Sequence, residues 1–122
     1  MCDHNDRESD ALLKGWNMIT AVTRWTGTPA GLALVEAGSR AAKSEHLAWG
    51  ANNCRFMRPI AGQGGMGVGF YICEFDSMSA FGAFQDSLLA SDWFKQMQKD
   101  VAAGHPEITM DGTTVMYDAI AD

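Results

Sequence analysis

The sequence predicts an α+β domain built from four antiparallel strands and two helices, and three observations lead to this prediction. Segments rich in β-branched and aromatic residues alternate with segments whose apolar residues recur at steps of three and four, which are the patterns of strands and helices. A glycine-rich loop joins two of the strand segments, which indicates a hairpin. The resulting order of elements is β-α-β-β-α-β.

Length, composition and charge exclude several classes of protein. The 122 residues suit one domain, and 47% hydrophobic with 20% charged residues is a globular balance. The net charge of −6, without a basic cluster, argues against nucleic acid and anionic membrane surfaces as partners. No apolar run approaches the roughly 20 residues that span a bilayer. The polar, acidic start lacks the features of a signal peptide, so we expect a cytoplasmic protein.

The N-terminal 15 residues are expected to form a flexible lead, and residues 16–122 the single domain. The three cysteines are Cys2, Cys54 and Cys73. This odd number, without a CxxC pair, indicates neither a disulfide framework nor a zinc site, so no metal is expected. Cys2 and His4 are close enough in sequence to bind a metal incidentally, and a tail without a structural role is the alternative.

The first strand and first helix are predicted over residues 16–26 and 29–48. The strand segment, WNMITAVTRWT, is rich in β-branched and aromatic residues, and Gly27 ends it. Thr28 is a suitable N-cap, followed by Pro29 at the first helical position. One face of the helix carries a stripe at steps of three and four, formed by Leu32, Val35, Ser39, Ala42 and His46.

The hairpin is predicted from strands over residues 53–60 and 68–76, joined by the loop AGQGGMG. This loop lacks the GxxxxGK[ST] spacing of a phosphate-binding loop and joins two strands, so a hairpin turn is favoured over a phosphate site. A symmetric hairpin places Cys54 opposite Cys73, on one face of the sheet. The pair is either a cross-strand disulfide or a reduced, buried pair, and a cytosolic location favours the reduced pair.

A helix beginning at Met78 is predicted to be interrupted, because Ser91 offers a second N-cap. A further helical segment over residues 93–103 carries Trp93, Met97 and Val101 at four-residue steps. Gly-His-Pro at 104–106 ends it. Residues 107–110 and 113–120 supply the last strand, and the Asp-Gly between them is either a hairpin turn or a bulge.

This order is that of the ferredoxin-like fold, a four-stranded antiparallel sheet with both helices on one face. The other face is then uncovered. It would carry apolar residues at Val22, Val68, Phe70 and Ile72, with either Val115 or Tyr117. Because so apolar a face is unfavourable in water, a second copy of the chain is expected to cover it as a homodimer.

The stretch from the third strand through SAF at 79–81 and SDWFKQMQKDV at 91–101 resembles the dimeric α+β barrel proteins. It is most similar to the antibiotic-biosynthesis and haem-degrading monooxygenases. The resemblance implies a dimer whose two sheets form a barrel, and a cavity in each subunit. Haem-degrading members use Asn, Trp and His at positions that align with Thr23, Phe75 and Gln98 in this chain. We therefore expect no haem and no other cofactor.

The resemblance also implies a set of cavity residues. Side chains facing the helices are expected at Thr23, Trp25, Tyr71, Cys73 and Phe75, with Trp93 and Met97 closing the cavity from above. An apolar cavity with a few polar groups is the usual form of a small-molecule site. The alternative is that these side chains simply fill the core.

His46 and Tyr71 are the candidate catalytic pair. His46 lies on the apolar stripe of the first helix, where it is either a general base or a half-buried histidine stabilised by the helix dipole. His105 is expected to face solvent in a turn, while Arg55 and Arg58 suit salt bridges better than an anion site.

Two functions remain open. One is a cofactor-independent oxygenase acting on a small aromatic or apolar metabolite, since the cofactor-free monooxygenases of the group oxidise polycyclic phenols. The other is a non-catalytic binding or structural dimer.

Overall fold

The structure, a computed structural model, describes residues 18–120. Its elements follow the predicted order, with a short 3-10 turn at Gly65–Gly67 between the hairpin strands. The strands and helices are β1 Ile19–Gly27, α1 Pro29–Ala48, β2 Asn53–Met57, β3 Val68–Phe75, α2 Met78–Ala90, α3 Asp92–Gly104 and β4 Ile108–Tyr117. The predicted N-terminal lead, the first two residues of the predicted strand, and Cys2 with His4 lie outside the described residues.

The four strands form one antiparallel sheet in the order β2-β3-β1-β4. Alternate side chains of β1 and β3 point toward the helices and are the more deeply buried set. The ferredoxin-like α+β fold predicted from the sequence is therefore confirmed. Among the described residues, no helix is long and apolar enough to cross a membrane.

The start of α1 is fixed against the start of β4. Thr28 caps α1 by accepting a hydrogen bond from the Gly31 amide at 3.0 Å, and its own amide donates to the Glu107 carbonyl at 3.1 Å. A Cβ atom at Gly31 would collide with that same carbonyl oxygen, so glycine is required for the approach. This junction seats the first turn of α1 directly on the sheet.

Two apolar clusters form the core between sheet and helices. The larger contains Ile19, Ala21, Ala51, Cys54, Cys73, Phe75 and Phe84, with Phe81 and Leu88 packed against it. The smaller contains Trp25, Leu32 and Val35, with Met97, Val101 and Ile108 packed against it. Tyr71 packs against both clusters, so it lies where they meet.

The structure resolves the ambiguities left by the helical region and the last strand. Ser91 ends α2 and caps α3 by accepting a hydrogen bond from the Phe94 amide at 3.1 Å, so two helices stand where one interrupted helix was predicted. β4 is a single strand that contains a bulge, not a hairpin. Arg24 pairs with Gly112 and Trp25 with Met110, leaving Asp111 as the additional residue.

The register corrects the predicted membership of the uncovered face. Val115 and Tyr117 pair directly with Ala21 and Ile19, and paired residues share a face, so both lie on the helix side of the sheet. Val68 is buried, beside the turn at Gly64, and is not available on an exposed face. β2 is also shorter than predicted and ends at Met57.

Candidate functional site

A cavity of about 640 Å³ lies between the sheet and the three helices. Six of the seven predicted cavity residues line it: Thr23, Trp25, Tyr71, Cys73, Trp93 and Met97. Phe75 does not, because its ring packs in the larger apolar cluster with centroids 5.3 Å from Phe81 and 5.0 Å from Phe84. Phe75 therefore packs against the cavity-lining residues Phe81 and Phe84 and does not contact the cavity itself.

The two predicted catalytic residues meet at the inner wall of the cavity. His46 Nδ1 and the Tyr71 hydroxyl oxygen are 2.6 Å apart, and both residues line the cavity. His46 is only 3% exposed although it occupies the last turn of α1. Its place on the apolar stripe of α1 turns the imidazole toward the sheet, where β3 presents Tyr71.

Aromatic rings surround the His46 imidazole. The ring centroids of Trp49, Tyr71 and Phe84 lie 5.5 Å away, and that of Trp93 lies 4.7 Å away, nearly perpendicular. His46 Nε2 is buried and has no hydrogen-bond partner among the described residues. When Nδ1–H donates to the Tyr71 oxygen, Nε2 carries the lone pair and is a base without a competing partner.

The cysteine pair lies behind Tyr71. Cys54 and Cys73 are directly opposite each other in the β2–β3 ladder, as the hairpin symmetry predicted, and both thiols are free and buried. Their sulfur atoms are 3.4 Å apart, with the Cys73 thiol donating to Cys54. Cys73 lines the cavity, whereas Cys54 lies one strand further out.

Proximity makes these thiols and Tyr71 an interacting set. The hydrogen bond from Cys73, with smaller contributions from His46 and Tyr71, lowers the pKa of Cys54 to about 5 against the opposing effect of burial. The hydrogen bond to Cys54, together with burial, raises the pKa of Cys73. Burial and the neighbouring sulfur charges raise the pKa of Tyr71, so its phenol stays protonated. Its O–H can then donate to the Cys54 sulfur while its oxygen accepts from His46 Nδ1–H.

The outer part of the cavity is mainly apolar, with a few polar groups. Leu34 and Leu89 line it and are mostly exposed, and Met110 lines it and is 38% exposed, which places all three toward its opening. The Thr23 and Thr113 hydroxyls, 2.8 Å apart, and the Asp100 carboxylate supply polar atoms. No lysine or arginine is among the described residues that line the cavity. The site therefore suits a neutral, largely apolar molecule better than an anion.

The remaining predicted polar residues lie elsewhere. Arg55 forms an ion pair with Glu74 at 2.8 Å, and Arg58 with Glu36 at 2.7 Å, and neither arginine lines the cavity. His105 is exposed, with Nδ1 3.2 Å from the Thr109 hydroxyl oxygen.

Sequence reasoning missed several aromatic and apolar walls of the site. Trp49 and Phe84 complete the rings around His46, and Leu88 with Phe94 extend the cavity wall. Phe84 and Leu88 are four residues apart on α2, so they share a helix face that points to the sheet. That spacing was the signal available for them. Trp49 follows the end of α1 three residues after His46, so its signal was the α1 stripe extended by one more step.

Comparisons with known proteins show the fold. No family model matches the chain, and no curated protein matches it in sequence. Among solved structures, it is similar to SnoaB, a cofactor-independent oxygenase from Streptomyces nogalater, at 19% identity and a TM-score of 0.55 over 82% of this chain and 91% of that one.

Two further structures are similar. A Caulobacter crescentus CB15 protein, provisionally assigned as an antibiotic biosynthesis monooxygenase, shares 23% identity at a TM-score of 0.57 over 93% of this chain and 99% of that one. A Bacteroides thetaiotaomicron VPI-5482 protein of unknown function, suggested to be an oxidoreductase, shares 9% identity at a TM-score of 0.62 over 84% and 99% of the two chains. At these identities the shared property is the fold, and function must be argued from the site.

Proposed function

We propose that this protein is a cofactor-independent oxygenase that binds a small aromatic or apolar molecule between the sheet and α3. The observation that carries the proposal is the His46–Tyr71 contact of 2.6 Å at the inner wall of a largely apolar cavity of about 640 Å³. The fold shared with an oxygenase that needs no cofactor supports the reaction class by analogy.

The chemistry requires a base in an apolar cavity. An aromatic molecule becomes able to give an electron to O2 without a cofactor when a phenol or an activated C–H group loses a proton. His46 Nε2, buried and unpartnered among the described residues, is the proposed acceptor of that proton. Tyr71 holds the imidazole through Nδ1, and in the proposed tautomer its oxygen accepts from Nδ1–H, which leaves the lone pair on Nε2. Tyr71 is thus a positioning residue in this proposal.

Oxygen uptake with a panel of hydroxylated naphthalenes and anthrones, in the presence of a chelator, tests this function. We expect His46→Ala to lower the rate by about 10²- to 10⁴-fold, the usual range for a general base. His105→Ala is the matched control, because His105 is an exposed histidine that does not line the cavity. Equal rates for both variants would contradict the assignment of His46. Tight binding of the panel without oxygen uptake would instead favour the binding-protein alternative.

We also propose that the active form is a homodimer through the uncovered sheet face. Val22, Phe70 and Ile72 lie there only half-buried, and the Arg55–Glu74 ion pair lies beside them. A second copy would bury these apolar side chains and so stabilise the sheet. Native mass spectrometry should show a dimer that Ile72→Glu dissociates, and a monomeric wild-type protein would contradict this part of the proposal.

A further inference from the structure

The buried cysteine pair has no part in the proposed oxygenase reaction. We propose that Cys54, Cys73 and His46 form a binding site for Zn²⁺. The inference goes beyond the proposed function and does not rest on it. The site joins the last turn of α1 to the two strands of the hairpin.

The positions of the donor atoms favour a single metal ion. One imidazole nitrogen and the two sulfur atoms all lie within 4.8 Å of one another, and all three residues are at most 4% exposed. Tetrahedral zinc with Zn–S bonds of about 2.3 Å holds two sulfurs about 3.8 Å apart. The observed sulfur separation is 3.4 Å, so the sulfurs need to separate by only a few tenths of an ångström. The same geometry holds an imidazole nitrogen about 3.5 Å from each sulfur, so binding would also draw the His46 ring and the cysteine side chains together.

The chemical type of the donors also favours zinc. Thiolate sulfur and imidazole nitrogen are the donors of structural and catalytic zinc sites, and hard cations such as Mg²⁺ prefer oxygen. Two thiolates and one Zn²⁺ sum to zero charge, which suits an apolar, buried position better than a lone thiolate does. The lowered pKa of Cys54 is consistent with a thiolate already favoured at this place.

The cavity offers an entry path and room for a fourth ligand. His46 and Cys73 line the cavity, so an ion entering from solvent reaches two of the three ligands from that side. Zinc with three protein ligands keeps a fourth position for water or a substrate oxygen. Metal binding also occupies the imidazole that the proposed reaction needs, so zinc should inhibit the oxygenase by competing for His46.

Cobalt titration of the reduced full-length chain tests the site. The protein would carry Cys2→Ser, which removes the cysteine outside the described residues, and would be kept reduced with a phosphine. We expect Co²⁺ to bind at one equivalent with sulfur-to-cobalt charge-transfer bands and tetrahedral d–d bands, and Zn²⁺ to displace it. Cys54→Ser and Cys73→Ser should each weaken binding by at least about 100-fold, whereas Tyr71→Phe should keep it.

Two results would overturn the site. One is the absence of thiolate-to-cobalt bands in the reduced protein. This result overturns the site even if the air-exposed protein forms a Cys54–Cys73 disulfide. The other is a Co²⁺ affinity that is unchanged in both Cys54→Ser and Cys73→Ser, which would place the metal elsewhere. Circular dichroism shows that each variant is folded, and a zinc-dependent rise in the Tm of the parent protein provides a second measurement. The cobalt titration contains no substrate and does not measure oxygen uptake, so its failure is independent of a failure of the oxygenase reaction.

Discussion

Helices α1 and α3 carry similar apolar stripes, yet only one of them is buried. In α1, four of the five stripe positions, Leu32, Val35, Ala42 and His46, are buried, and Ser39 is half-buried. In α3, Trp93, Met97 and Val101 recur at four-residue steps, but no residue of that helix is buried. The periodicity alone does not distinguish the two helices.

The cavity explains this difference. The apolar stripe of α3 lines the cavity, whereas the first turns of α1 rest on the sheet at the Gly31–Glu107 junction. α3 is therefore a roof that meets the core only through partly buried side chains, whereas α1 is mostly core and borders the cavity at Val35, Ser39 and His46. An apolar stripe on a helix can either pack against a sheet or enclose a ligand. The exposure of its side chains distinguishes the two, because a packed stripe is buried and a cavity-lining stripe is not.

The largest expected effect is on stability when the α1 stripe is truncated. Leu32 is fully buried, so Leu32→Ala should lower the free energy of unfolding by about 2–5 kcal/mol. Met97→Ala, on the roof, should cost about 1 kcal/mol or less, because Met97 is only partly buried and borders the cavity. Urea denaturation of both variants measures the difference, and equal losses would show that α3 is an ordinary core helix.

Substitutions that add side-chain volume should also distinguish the two helices, because only the α3 position has space to accept it. Ala42→Leu, at a buried α1 position, should destabilise the protein by about 1–3 kcal/mol through overpacking. Val101→Phe, which extends into the cavity, should leave stability nearly unchanged and weaken binding of 1-naphthol about 10-fold or more. Thermal unfolding and calorimetric titration provide the two readouts. A strongly destabilised Val101→Phe would mean that the space beneath α3 is filled.

The pH dependence of stability reports on the two thiols, Cys54 and Cys73, that lie beside His46 at the end of the α1 stripe. The folded pKa of Cys54, about 5, is below its ordinary value of 9.0, so its stabilising effect is complete above pH 9 and is lost as pH falls toward 5. The raised pKa of Cys73 acts oppositely and costs stability above pH 9. Stability should therefore rise from pH 5 to 9 and then decline.

Thiolate absorbance near 240 nm checks this assignment. One thiolate should titrate near pH 5 in the Cys2→Ser protein and be absent in Cys2→Ser/Cys54→Ser. In Cys2→Ser/Cys73→Ala its titration should move to higher pH, because the donor that stabilises the thiolate is lost. Two thiols titrating together near pH 9 would contradict the interaction.

The smallest effects concern the N-caps of the two helices. Thr28→Ala and Ser91→Ala each remove a side-chain acceptor for a helix amide and should cost about 1 kcal/mol. Ser91→Ala should also weaken 1-naphthol binding because it loosens the start of the roof, whereas Thr28→Ala should not. Equal effects of the two variants on affinity would weaken the distinction between roof and core.

The fold was predictable because its signals are local. The Thr28-Pro29 start, the Ser91 cap and the hairpin glycines each specify a boundary without knowledge of the rest of the chain. The bulge at Asp111 was not predictable, because Asp-Gly suits a hairpin turn equally well and only pairing with β1 decides between them. The predicted membership of Val115 in the uncovered face was wrong for the same reason.

The candidate site was predictable only in part. The His46–Tyr71 pair followed from a helix stripe and a strand alternation that face each other, and Cys54 opposite Cys73 followed from hairpin symmetry. Alternation also placed Phe75 on the cavity side of the sheet, where it does lie. Its ring is nonetheless covered by Phe81 and Phe84, because lateral position within the sheet decides which inward residues meet a cavity.

The most direct measurement of the central claim is methyl NMR of the methionines during titration with 1-naphthol. Met97 on α3 and Met110 on β4 line the cavity, whereas Met57 and Met66 are exposed and do not. Ring currents from a bound aromatic should shift Met97 and Met110 and leave the other two unchanged. Shifts of Met57 and Met66 without Met97, or no saturable shift at all, would contradict a ligand cavity beneath α3.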